Sequence, residues 1–190
     1  LMIPVGLAMC RRGFRAGLRG LGIGRRPLGA TVGWALAALA ASAPLSWALL
    51  LVSTVAIRVL WPSHRITPHA ALELLGEGGL GGISPAMLAW VGLTAGVLAP
   101  IWEELYFRGM LQTSLGRLLR SRWASVVVTA VLFGLVHAPQ PESVLSLSAL
   151  AVCLGVVYEK SGSLSAVVIA HGLFNLKSIV MVVAQAHAGG

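Results

Sequence analysis

The stretch Leu28 to Ile57, "LGATVGWALAALAASAPLSWALLLVSTVAI", runs for 30 residues without a charge. About 20 predominantly apolar residues suffice to cross a bilayer as a helix, so this segment alone predicts a transmembrane span. Two further uncharged runs follow, Gly78 to Trp102 over 25 residues and Trp123 to Pro141 over 19. Ser143 to Tyr158 and Ser161 to Leu176 are shorter. The second extends past Lys177 to about Ala186, because a lysine stem can carry its ammonium to the interface. With 57% hydrophobic and only 11% charged residues, the chain lacks the polar surface that a soluble domain of this size presents to water. The expected fold is all-α, a polytopic transmembrane helix bundle of about five helices.

Charge placement predicts the topology. The formal net charge of +8 is nearly all arginine, and aspartate is absent. Arg11, Arg12, Arg15, Arg19, Arg25 and Arg26 precede the first apolar run, and Arg117, Arg120 and Arg122 separate the second from the third. Segments rich in arginine stay cytoplasmic, which puts both regions inside and Arg58 to Glu77 outside. The expected protein is multi-pass, in a bacterial cell membrane, with a cytoplasmic N-terminus. No aromatic-interleaved basic face accompanies the arginines, which argues against a nucleic-acid partner; anionic lipid headgroups are the expected counterpart. "RRGFR", Arg11 to Arg15, resembles the start of a twin-arginine signal. The apolar run behind it is about twice as long as a signal's, so a retained span is expected instead. Cys10 and Cys153 have no partner at metal-ligand spacing and predict no disulfide. "GEGGLGG", Gly76 to Gly82, predicts a loop before the second span.

Against this apolar background, "IWEELYFRGM", Ile101 to Met110, sets two adjacent acids and an arginine inside a hydrophobic segment. Between Pro85 and Leu119 the only internal helix breaker is Pro100, so the spacing predicts one long, kinked helix with Glu103 and Glu104 midway along it. Carboxylates at that depth face a protein interior or a water-filled cavity. Glu104 and Arg108 stand at i and i+4 and can neutralise each other as a structural ion pair. Glu103, rotated roughly 100° from Glu104, has no such neighbour in sequence.

Two other polar sites lie in apolar runs. His137 ends "FGLVH" and His171 opens "HGLFN", with Asn175 one turn later. Each histidine has an ordinary reading as a hydrogen-bonded interior residue. An antiparallel hairpin centred on Arg120, however, puts Glu103 and His137 at one height, roughly 25 Å above the turn at 1.5 Å per residue. His171 and Asn175 stand roughly 14 and 20 Å above the next inner turn at Ser161 and Gly162 on the same rise.

One carboxylate, two imidazoles and an amide at a common depth fit two chemistries. In the first, Glu103 is the general base that takes a proton from water, His171 and Asn175 donate to the oxyanion, and His137 positions the water or protonates the leaving amine. In the second, Glu103, His137 and His171 ligate a divalent metal such as zinc, which activates the water; no metal is required in the first.

"EELYFRG", "FGLVH" and "HGLFN" resemble, in order and content, the EExxxR, FxxxH and HxxxN motifs of the type II CAAX prenyl protease and bacteriocin-processing (CPBP) family of intramembrane proteases. The supporting text, Ala99-Pro100 before the acids and "GVVYEKSGSLSAVVIAH" before the third motif, is similar too. The resemblance covers roughly Pro85 to Val183. It implies that Glu103 activates water, that Glu104 with Arg108 supports its placement, and that His137, His171 and Asn175 complete the site, with Phe133 as packing. It implies a peptide or protein substrate and leaves the cofactor open. The organisation expected is a basic cytoplasmic segment at 1–27, a first span and external loop at 28–84, and a catalytic transmembrane core at 85–187. The competing readings are a non-catalytic membrane peptide-binding or immunity protein, which would not need Glu103, and a transporter, for which no inverted repeat is seen.

Overall fold

The computed structural model describes residues 20–66 and 84–188. Cys10, the arginines at 11–19 and the Gly76 to Gly82 segment lie outside them. Among the described residues there are five helices and no strands: α1 (Leu28–Leu60), α2 (Pro85–Leu118), α3 (Arg122–Leu135), α4 (Pro141–Ser161) and α5 (Leu164–Ala188). Four of them, all but α3, are long and apolar enough to cross a membrane.

The third helix is shorter than its apolar run predicts. Its 14 residues rise about 21 Å, less than the roughly 30 Å hydrocarbon core. Prolines at 139 and 141 bias the residues before them away from helical backbone. The chain leaves the helix through successive turns, His137 N–H to Gly134 O at 3.0 Å and Ala138 N–H to Leu135 O at 3.0 Å. His137 therefore sits in the turn that ends α3.

Helix α1 shows how the bundle packs without a hydrophobic drive between helices. Its buried residues are Thr31, Ala35, Ala38, Ser42, Ser46 and Ser53, all small and spaced by three, four or seven. Most of its large side chains, among them Leu36, Leu51 and Val52, are exposed. Small residues on the seam let two backbones approach closely, while bulky apolar ones meet lipid. The seam packs on α4, where Ser46 Oγ donates to Ser146 O at 3.0 Å.

The second span, α2, is not uniform. Pro85–Leu93, Ala99–Glu104 and Thr113–Leu118 are α-helical, and Thr94–Leu98 and Leu105–Gln112 are π-helical. At Thr94–Leu98 the wider register is a local answer to Pro100, which has no N–H to offer. Ala99 N–H bonds back to Thr94 O, five residues earlier. At that register Ala95 O would need a donor from Pro100, and there is none.

Helix α4 is central, packing against α1, α3 and α5. It stops at Gly162, whose left-handed backbone (φ +62°) receives the chain into α5, capped by Ser163 Oγ accepting from Ala166 N–H at 3.2 Å.

Candidate active site

The proline in α2 creates the first contact of the site. Asn175 Nδ2, on α5, donates to Ala95 O at 2.9 Å, the carbonyl that the π register leaves without a backbone partner. Two glycines allow this reach. A Cβ on Gly172 would lie 2.4 Å from Gly96 O, and one on Gly96 would lie 2.6 Å from Leu176 Cδ2. The α5 and α2 backbones are thus in contact one turn from Asn175.

The two acids separate by burial as their rotation around the helix predicts. The Glu104 side chain is fully enclosed, whereas that of Glu103 is 27% exposed. Glu104 Oε1 accepts from Arg108 Nη1 at 3.1 Å and from His171 Nδ1–H at 2.7 Å. Its Oε2 stands 3.1 Å from Arg108 Nε. Arg108, also buried, donates through Nη2 to Ala151 O at 3.0 Å, and its guanidinium carbon lies 5.3 Å from the centre of the Phe133 ring. A planar fork that meets a carboxylate on two atoms is the geometry in which a buried ion pair is sustained.

His171 joins the two acids. Its Nδ1–H is directed at Glu104, which fixes the ring and turns Nε2 toward Glu103 Oε2, 3.7 Å away. His137 is placed by a different device. Its Nδ1–H donates to Phe133 O at 2.8 Å, which leaves Nε2 as the ring's acceptor. The Phe133 ring lies between the two histidines, 5.2 Å from His137 and 5.8 Å from His171, centre to centre. Glu103, Glu104, Arg108 and His171 are thereby gathered directly, His137 is brought alongside through Phe133, and Asn175 joins through the α2 backbone.

A metal is the other chemistry these residue types permit. Among the described residues no group of three or more His, Cys, Asp or Glu side chains is disposed to hold one. Glu104 is committed to Arg108 and His171, while the bonds at Nδ1 of the two histidines leave each Nε2 as the open ring nitrogen. Glu103, His137 and His171 form no three-ligand group as they stand.

One polar seam escapes the motifs. Gln112, buried one turn beyond Arg108, donates through Nε2 to Glu159 Oε1 at 2.8 Å and to Gly155 O at 3.3 Å. Arg108 and Gln112 thus meet α4 at positions four apart, Ala151 and Gly155. The signal was available in the sequence: Glu104, Arg108 and Gln112 form a polar row at spacing four along an apolar helix.

The elements carrying these residues, from the start of α2 into α5, coincide with a family match. The family model for type II CAAX prenyl endopeptidases, Rce1-like, matches residues 85–177. Over those residues the chain is similar to an Rce1-like domain. At family level the match supports an intramembrane CAAX-type endopeptidase, and the apolar spans agree with an integral membrane protein. Comparison with curated proteins and with solved structures gives no match. The Rce1-like region takes in α2, α3, α4 and the part of α5 that bears His171 and Asn175, while α1 lies outside it.

Proposed function

We propose that the chain hydrolyses a peptide bond in a membrane-associated peptide or protein, with Glu103 as the base that activates water. The observation that carries this reading is the division of labour between adjacent acids. Glu104 is paired with Arg108 and His171, while Glu103 is partly open with a carboxylate oxygen 3.7 Å from His171 Nε2.

In the proposed reaction Glu103 takes a proton from water as the water oxygen bonds to the scissile carbonyl carbon. The carbonyl becomes a tetrahedral oxyanion. His171, in its protonated form, and the second amide N–H of Asn175 are the donors that stabilise it. The oxyanion then re-forms the carbonyl, the C–N bond breaks, and the proton held by Glu103 passes to the leaving nitrogen, directly or through His137. Glu104 and Arg108 do not touch the reacting atoms; they hold the His171 ring in position. The N-terminus is cytoplasmic in this reading, the site is reached from the cytoplasmic side, and the family match directs the first substrates to prenylated C-terminal peptides.

The test is peptide cleavage by purified protein in proteoliposomes, wild type beside Glu103→Gln, each with and without a strong chelator. Activity abolished by the substitution and retained under chelation supports the glutamate mechanism. Activity abolished by chelation overturns it in favour of metal, and full activity in Glu103→Gln overturns the role of Glu103.

A further inference from the structure

One end of the bundle is built from three turns. Residues 20–24 lead into α1, the Leu119 to Ser121 turn joins α2 to α3, and the Gly162 turn joins α4 to α5. The first and last touch backbone to backbone, since a Cβ on Gly22 (φ +85°) would fall 2.0 Å from Gly162 O. Arg26 Nε donates to Ser161 O, and Arg25 Nη1 lies 3.2 Å from where a Cβ on Gly162 would stand.

Between these turns and the last part of α2 opens a cavity of about 350 Å³, within the roughly 300–1,000 Å³ range of small-molecule sites. Its wall carries Arg25, Arg117 and Arg122 against one carboxylate, Glu159, so three positive charges less one leave +2. That carboxylate accepts from Gln112 Nε2 at 2.8 Å, which turns part of its charge into the helix seam. Arg122 stacks on Trp123 at 5.1 Å from the ring centre, and Trp123 is exposed. An exposed tryptophan beside arginines marks the headgroup level of a membrane.

We infer that this cavity is a binding site for a phosphate group, of the kind an anionic phospholipid headgroup presents. Guanidinium forks match phosphate oxygens in pairs, and basic pockets between transmembrane helices at the headgroup level take anionic lipid heads. The inference does not depend on the peptidase reading. Gln112, the nearest wall residue on α2, is nine positions from Glu103, about 13 Å along the helix, and none of the three arginines belongs to the proposed catalytic set.

The full chain, purified in an uncharged detergent, is titrated with phosphatidylglycerol, phosphatidylcholine and inorganic phosphate while thermal unfolding is followed. Phosphatidylglycerol should raise Tm saturably and phosphatidylcholine should not. A saturable rise with inorganic phosphate alone, as large as that with the lipid, supports the site and assigns it to a soluble phosphate. Arg117→Gln and Arg122→Gln should each weaken binding about five-fold. Arg120→Gln, in the same turn but off the cavity wall, should leave it within two-fold. Arg122→Lys keeps the charge and guards against misfolding; it should bind less tightly than wild type and more tightly than Arg122→Gln. Equal weakening in Arg120→Gln, or no saturable binding of either phosphate source to wild type, would overturn the proposal.

Discussion

His171 Nδ1 donates to Glu104 Oε1 at 2.7 Å across 67 positions of sequence. This bond ties the helix of the acids to the helix of the third motif, and it lets the buried Arg108 and the second histidine share one carboxylate. Glu104→Gln removes the charge but keeps the shape, leaving Arg108 enclosed without its counter-ion. Breaking one side of a buried pair destabilises by about 3–5 kcal/mol. Thermal unfolding in detergent should show a marked fall in Tm for Glu104→Gln, and a Tm equal to wild type would refute the structural role.

Glu103→Gln should behave in the opposite way. Its side chain is partly exposed and accepts no bond from Arg108, so the near-isosteric amide should leave Tm within about a degree of wild type. Cleavage should fall by at least ~10²-fold, the lower range for removing a general base. The pair of variants separates positioning from chemistry because the two residues are adjacent yet differ in which measurement moves.

How much of this was legible is clearest at those acids. One residue of helical rotation separated Glu103 from Glu104, and the i, i+4 spacing assigned Arg108 to the latter; the structure places both so. The stripe of small residues on α1 was equally present in the sequence. The π-helical stretches were not, because their register is set by tertiary contacts as well as by Pro100. Nor was the early end of α3, where apolar composition continues to Pro141 but backbone bias before two prolines wins. Hydrophobicity reports where a chain meets lipid and says little about where its helix stops.

The Asn175 contact makes a prediction that depends on proline. If the amide is there to satisfy the carbonyl Pro100 cannot reach, Asn175→Ala should destabilise by about 1–3 kcal/mol, the penalty for an orphaned buried acceptor. In a Pro100→Ala background, residue 100 regains an N–H for Ala95 O. The same substitution should then cost about 1 kcal/mol less, a coupling that a double-mutant cycle on unfolding free energies would detect. Strict additivity would mean that Asn175 stabilises the protein by some other route.

Gly134 links packing to His137. A Cβ there would lie 2.0 Å from Ser148 Oγ and 2.6 Å from Val144 O, so α3 meets α4 through this glycine, three residues before the histidine. The serine hydroxyl can rotate aside, but the backbone carbonyl cannot. Gly134→Ala must therefore push α3 away from α4, at about 1–3 kcal/mol for overpacking, and must carry Phe133 and His137 with it. Unfolding should report the loss of stability. In proteoliposomes cleavage should fall as well, and it should not recover when the assay temperature is lowered well below the variant's Tm, because the displaced histidine belongs to the folded state. Recovery to wild-type activity on cooling would show that Gly134 serves stability alone and that the position of His137 tolerates the shift.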